Sequence, residues 1–381
     1  MFEHNLILKR LLASSSSNLE TNPVLRKHII NYCGDFLGGI WKKATPEDVS
    51  VKKLAGGTIN TILLCTLSDT FESINSEPTR VVFRIHCKAD TGIIAETVIF
   101  SILAQKNLGP QLYGIFDEGR IEEYIPSRPL SMTDICLLPI SKEIARQFAR
   151  IHQLNIPINK NPSFMSFIDE WYQNLSSNLS LPPIFNIPEH YHKYSPKTLT
   201  MKELKNEIEF LRNKIPKLLK NIVFCHNDLI GGNVLLSNDN PHLSKMDSNF
   251  KPKLMLIDFE FASYNPRGFD LGDHLAEYVF DYDAKAPPYS LPNRVPSKDH
   301  IMEFIFAYIE AQNPNFTEEQ CKNKAEELLK ETLPFMPIAH LFWSGYMINH
   351  GLNHKTDFDF AGFAVERFGL YFMQKHFLED L

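Results

Sequence analysis

The sequence predicts an α+β chain of two lobes, a small β-rich lobe followed by a large, mostly helical one. Three observations predict it. Strand-type runs punctuated by glycine and polar turns fill the first third of the 381 residues. Apolar residues at helical spacing dominate from Ser141 onward. Two short apolar runs between Val223 and Asp258 stand inside the helical part as one embedded hairpin. Strands first and helices afterwards is the α+β order, with a ligand expected between the lobes. The expected divisions are a disordered leader over 1–20, a first lobe over 21–127 and a second over 128–381.

In the leader, Ser14 to Ser17 is a low-complexity run with nothing apolar to bury. Leu25 to Trp41 has helical apolar spacing that stops at Gly38-Gly39. Val49 to Leu54, then Ala55-Gly56-Gly57-Thr58-Ile59-Asn60, then Thr61 to Leu67 reads as strand, glycine turn, strand. Ser68 to Pro78 is a polar loop, and Arg80 to Ile85 is a strong strand. Ile93 to Lys106 is an amphipathic helix ending before Gly109-Pro110. Gln111 to Phe116 and Arg120 to Ile125 form a hairpin, and Pro126 to Pro129 breaks the pattern as a hinge. Helix follows from Ser141, with one short helix near Phe167 to Leu175 inside the polar stretch 155–200. Lys202 to Lys220, 298–312 and most of 317–375 are helical.

Bulk properties exclude several classes. A net charge of −6 lacks the basic footprint of a nucleic-acid binder. The six cysteines have no CxxC spacing and read as reduced thiols of a cytoplasmic protein. No apolar run approaches the roughly 20 residues of a membrane span. Glu3 and Asn5 interrupt any secretory h-region.

Chemistry concentrates between Val223 and Tyr282. Each apolar run delivers a carboxylate to its end, Asp228 and Asp258, thirty residues apart, with Asn233 five after the first. An Asp, an Asn and a second Asp in this order suit phosphoryl transfer to a hydroxyl. Asp228 orients the hydroxyl or takes its proton, and Asn233 and Asp258 hold Mg²⁺ on the nucleotide. His226 braces the loop by hydrogen bonding. Asp270 bonds backbone amides of the same loop, or caps a helix. In the first lobe, Gly56-Gly57-Thr58 either cradles a phosphate with backbone N–H groups or makes an ordinary hairpin turn. Arg84 lies in an apolar strand, where its charge needs a partner; a nucleotide phosphate or Glu96 would supply one, unless the side chain points to water. The last third is dense in aromatics. Most belong to helix packing, and a subset with nearby carboxylates forms a cage for a quaternary ammonium, at about 0.5–2 kcal/mol per contact. A site of carboxylates alone would hold a primary amine.

The strings FCHNDLIGGNVLL (224–236), KLMLIDFEFASYNPRGFDLGDH (253–274) and LGPQLYGIFDEGRIEEYIPSR (108–128) resemble the choline/ethanolamine kinase family, its choline kinases more than its ethanolamine kinases. The resemblance spans about residues 50 to 375. It implies a protein-kinase-like fold and ATP-dependent phosphorylation of choline to phosphocholine, the first step of phosphatidylcholine synthesis, with ethanolamine or both amines as the alternative. It also implies a homodimer. By this resemblance Gly56, Gly57, Thr58, Asn60 and Arg84 serve ATP, and Glu123, Tyr124, Ile125 and Arg128 form the adenine hinge. Asp228 is catalytic, and Asn233 and Asp258 are metal ligands. Glu260, Glu277, Tyr282, Trp343, Tyr346, Phe358 and Phe363 line the choline pocket. The chain departs from the family pattern at Ala55, Ile230, Phe261 and Tyr346. A silent pseudokinase scaffold would lack Asp228, Asn233 or Asp258, and all three are present.

Overall fold

The first described helix shows how local chemistry sets the architecture. In α1 (Pro23–Phe36) the Asn22 side chain accepts from Val24 N and Leu25 N at 2.9 and 3.1 Å, and Pro23 opens the first turn. Leu25, Ile29 and Cys33, spaced by four, form its buried stripe. They pack on β1 (Val49–Lys53), β2 (Asn60–Leu67) and β3 (Arg80–His86) through Val49, Val51, Leu63, Cys65 and Phe83. Each such residue contributes about 1.5–3 kcal/mol when buried. The helix α2 (Ile93–Gln105) and the strands β4 (Leu112–Phe116) and β5 (Gly119–Glu123) follow. The five strands make one antiparallel sheet in the order β1-β2-β3-β5-β4. In β2 every second residue is buried, the signature of a sheet with one covered face.

This computed structural model describes residues 19–54, 60–86, 92–178, 184–245, 247, 250–353 and 357–381. Most of the expected leader and the Gly56, Gly57 and Thr58 turn lie outside the described residues. The chain divides after Pro126 into two compact units, Met1–Pro126 and Ser127–Leu381.

The second unit opens on β6 (Ser127–Pro129), so the segment expected only to break the pattern contains a short strand, which pairs with β10 (Val234–Ser237). Pro129 is tolerated because β6 is an edge strand, where a missing N–H costs little. Next come α3 (Met132–Ile135), α4 (Leu138–Ile151) and α5 (Phe164–Ser177). The polar stretch 155–200 holds more order than its composition predicts, because β7 (Ile184–Asn186) pairs with β8 (Thr198–Thr200). Thr200 and Glu203 form a capping box that starts α6 (Met201–Leu218).

The single embedded hairpin is also corrected, to two nested pairs. The inner pair is β10 with β11 (Leu254–Leu256), and the outer is β9 (Ile222–Cys225) with β12 (Ser263–Pro266). The helices α7 (Arg267–Ala276), α8 (Lys298–Gln312), α9 (Glu318–Thr332), α10 (Phe335–Asn353), α11 (Phe360–Gln374) and α12 (His376–Glu379) complete the unit. Trp171, Phe269, Phe335, Phe342, Phe368 and Tyr371 anchor its core. A Cβ at Gly345 would stand 2.1 Å from the Trp171 ring, so the glycine lets α5 and α10 approach. Among the described residues no helix is long and apolar enough to cross a membrane.

Candidate active site

Each functional loop is set by the strand that enters it. Between β9 and β10, Asn227 adopts a left-handed backbone (φ 66°) that turns the chain and presents Asp228. Asn227 holds that conformation with its side chain, donating to Phe261 O and Ser263 Oγ, both at 2.9 Å, and accepting from Asn265 Nδ2 at 2.8 Å. Farther along the loop, a Cβ at Gly231 would lie 2.8 Å from Leu130 O, so only glycine lets the loop pass the end of β6. Asn233 donates through Nδ2 to Asp228 O at 2.8 Å and to Asp228 Oδ2 at 3.2 Å. Its Oδ1 is left as an acceptor. Just past β11, Ile257 N donates to Asn233 O at 3.0 Å, and Asp258 follows at φ 65°. The backbone at Asn233 is thereby tied to the residue before Asp258, and both side chains carry hard-oxygen donors of the type that suits Mg²⁺.

His226 ties both loops together as expected. Its Nδ1 accepts from Asp228 N at 3.3 Å and its Nε2–H donates to Ile257 O at 2.9 Å. Burial lowers its pKa, which keeps the ring in that neutral form. Asp270 accepts from His226 N at 2.8 Å and Asn227 N at 2.7 Å, the buried bracing role expected of it. The Asp228 carboxyl is pushed well above the usual range, first by burial and then by the charges of Asp273, Asp258, Glu277 and Glu260. Four further carboxyl groups thus lie within electrostatic range of Asp228; Glu277 among them is neutralised by Arg367, and the remainder favour a cationic occupant.

His274 braces the other side of the loop, its Nδ1–H donating to Leu229 O at 2.8 Å. Burial lowers its pKa to about 4. Below its unfolded pKa of about 6.5 the unfolded chain takes a proton that the folded chain refuses, so stability falls as pH drops from 6.5 towards 4. His274→Asn retains a donor but cannot titrate. Urea unfolding at pH 7 and pH 5 should therefore show the native chain losing about 2 kcal/mol more than the variant. Equal losses would count against this assignment.

The expected substrate residues form two aromatic groups. In one, Tyr282 stacks on Phe363 (5.2 Å, 5°), and Phe358 on Phe363 (4.6 Å, 23°). In the other, Trp343 and Tyr346 meet edge to face at 5.2 Å, and both meet Phe261. The phenols of Tyr282 and Tyr346 are raised first by burial, and Asp228 is among the charges that add to the rise, so both groups lie within charge range of that carboxyl. Glu260 is exposed. Glu277 is fully buried and accepts from Tyr282 Oη and Arg367 Nη2, each at 2.6 Å.

Sequence reasoning missed Asp273, which accepts from Trp343 Nε1 at 2.7 Å and so fixes the indole. It also missed Arg367, buried over the Phe280 ring at 4.1 Å. One signal was available: Arg367 is a cation within the apolar run of α11, the circumstance that drew attention to Arg84.

In the first unit Glu96, one of the alternatives expected for Arg84, is not its partner. Arg84 Nε bonds Glu122 at 2.8 Å, and Glu96 is taken by Arg120 at 2.9 Å. Arg120 also bonds Glu122 at 2.7 Å. The reason is register: Arg84 and Arg120 are direct cross-strand partners, and Glu122 lies between their guanidinium groups. Asn60 bonds His86 at 3.1 Å, Glu123 accepts from Gln111 N at 3.0 Å, and Tyr124 lies under Arg80 at 5.0 Å. Ile125 is the penultimate residue of this unit. In the second unit Arg128 pairs with Asp134 at 2.7 Å.

A five-stranded antiparallel sheet followed by a helical unit whose loops carry Asp228, Asn233 and Asp258 defines the class: a phosphotransferase of protein-kinase-like fold. Solved structures that share the fold include a choline kinase from Cryptosporidium parvum (TM-score 0.71, 23% identical, covering 93% of this chain and 96% of that one). An ethanolamine kinase from Plasmodium vivax is also similar (TM-score 0.68, 20% identical, 97% and 96% covered). Residues 51–372 match the family described as choline/ethanolamine kinase, and the chain belongs to that family. Choline kinase A2 of Caenorhabditis elegans is 37% identical, over 98% of this chain and 92% of that one. A choline/ethanolamine kinase of Rattus norvegicus is 36% identical, over 94% and 88%.

Proposed function

We propose that this chain transfers the γ-phosphoryl group of ATP to the hydroxyl of choline, giving phosphocholine. The observation that carries the reading is the convergence of carboxyl groups on Asp228 beside two aromatic groups. Asp228 orients the choline hydroxyl and accepts its proton, a task suited to a carboxyl of raised basicity. Asn233 and Asp258 would hold Mg²⁺, which would supply charge neutralisation on the transferring phosphates. Trp343, Tyr346, Tyr282 and Phe358 offer ring faces to the trimethylammonium group, with Phe363 buried behind Tyr282 and Phe358 as their support; Glu260 supplies counter-charge, and Asp273 fixes the Trp343 indole. Arg84, Asn60, Glu123, Tyr124, Ile125 and Arg128, with Gly56, Gly57 and Thr58 outside the described residues, are assigned to the nucleotide. A cytoplasmic setting is supported by five described cysteines that carry free thiols.

A second reading, turnover of ethanolamine as well, is favoured by the carboxylates themselves, since they serve a primary ammonium without any ring face. Trp343→Ala separates the two. It should lower kcat/KM for choline about 10- to 30-fold, the equivalent of one strong cation–π contact, and affect ethanolamine several-fold less. Equal losses for both amines would contradict a cage that recognises the trimethylammonium group.

A further inference from the structure

Behind the catalytic loop lies a buried chain of side chains that the proposed chemistry does not yet use. Tyr308 on α8 bonds His152 Nδ1 at 2.8 Å, and His152 Nε2 bonds Asp270 Oδ2 at 2.9 Å. Asp270 in turn accepts from the amides of His226 and Asn227, the two residues before Asp228. His152 is 5% exposed and Asp270 1%, so water does not compete for these bonds. Although burial opposes its charge, the Asp270 carboxyl is held below the usual range by the His152 hydrogen bond and charge, by His226 and by the Asn227 amide.

Cys225 stands close by, with its Sγ, a His152 nitrogen and an Asp270 oxygen all within 4.8 Å of one another. These are metal-ligand types, yet the cluster is already saturated. Both Asp270 oxygens accept N–H donors, and burial pushes the Cys225 thiol up, which opposes the thiolate a metal requires. The trio is a hydrogen-bonding device.

We infer that His152 is a positioning residue for phosphoryl transfer: its Nε2–H fixes the Asp270 carboxylate, which sets the His226 and Asn227 backbone and so aims Asp228. The inference rests on the reading that Asp228 faces the substrate hydroxyl. Without the His152 donor, Asp270 Oδ2 is free to rotate away from the His226 amide. The positive-φ turn at Asn227 then loses part of what holds it, and Asp228 shifts relative to the hydroxyl. Misplacement on the scale of 1 Å costs up to about 100-fold in rate while leaving the binding surfaces in place.

The test uses the full chain, with steady-state kinetics on ATP and choline. ADP-binding stoichiometry from calorimetry counts the folded sites, so kcat is expressed per competent molecule. His152→Phe removes the donor and should lower kcat about 10- to 100-fold, with KM for choline and for ATP changed less than about 2-fold. His152→Gln places an amide N–H near the lost Nε2–H and should recover most of that loss. A bulk structural role would instead lower the competent fraction or raise KM, and Gln would not rescue it. An undiminished kcat in His152→Phe, or equal kcat losses for Phe and Gln, overturns the inference. If His152→Phe does not fold, Tyr308→Phe decides. It removes only the hydroxyl that orients the imidazole, and it should lower kcat about 2- to 5-fold at unchanged KM; unchanged kcat overturns the inference. Asp228→Asn run alongside separates the two levels. Full turnover in that variant brings down the Asp228 reading itself, whereas an inactive Asp228→Asn beside a fully active His152→Phe brings down only the role of His152.

Discussion

Asp228→Asn should lose turnover on the order of 10³-fold while its melting temperature stays level or rises. The rate falls because the amide cannot accept a proton from the substrate hydroxyl, a function that contributes about 10²- to 10⁴-fold in enzymes generally. The stability gain has the opposite origin. The Asp228 carboxyl is half-buried, and desolvation together with the charges of Asp273, Asp258, Glu277 and Glu260 acts against its ionisation. Removing one like charge from such a cluster relieves repulsion that the free protein carries. Steady-state assays and thermal unfolding of the same preparations check both halves. A variant that loses activity and also melts well below the native chain would show that Asp228 is structural. One that retains activity would remove it from the chemistry.

Arg367→Met should produce the largest loss of stability, about 3–5 kcal/mol, because it strands the Glu277 carboxylate in the protein interior. Both groups are almost entirely buried (Arg367 1% and Glu277 0% exposed), so no solvent replaces the lost partner. The fall in melting temperature should be on the order of 10 °C for a unit of this size. The pairing is not ideal: Arg367 Nε and Nη1 have no hydrogen-bond partner among the described residues. The double variant Arg367→Met/Glu277→Gln, which removes both members of the pair, should therefore recover more than half of the loss. A double variant as unstable as the sum of its parts would contradict the account. Because Arg367 already compensates Glu277, and burial opposes ionisation of Asp273, the charge left to meet a cationic substrate comes from Glu260 and the Asp228 and Asp258 loops.

The legible and illegible parts of this protein differ in the range of the interactions involved. Strand alternation in β2, the strong run of β3 and the spacing of Asp228, Asn233 and Asp258 are local, and the sequence displays them directly. The hairpin expected between Val223 and Asp258 became two nested pairs because β12, Ser-Tyr-Asn-Pro, is too short and polar to signal a strand. Pairing with β9 creates it. A charge inside the apolar run of β3 signals that Arg84 needs a buried partner, but register sets that partner as Glu122 and not Glu96. The supporting groups were hidden by distance along the chain: His152 meets Asp270 across 118 residues, Trp343 meets Asp273 across 70 and Arg367 meets Glu277 across 90. No periodicity reports such contacts. Only the general rule that a buried charge has a partner points toward them.

The most direct measurement is product identification by phosphorus NMR, with the full chain, Mg²⁺ and ATP, and choline or ethanolamine as acceptor. A phosphomonoester resonance should appear with choline, faster than with ethanolamine, and should vanish in Asp228→Asn. ATP left intact, or cleaved only to free phosphate in the presence of either amine, would contradict the assignment.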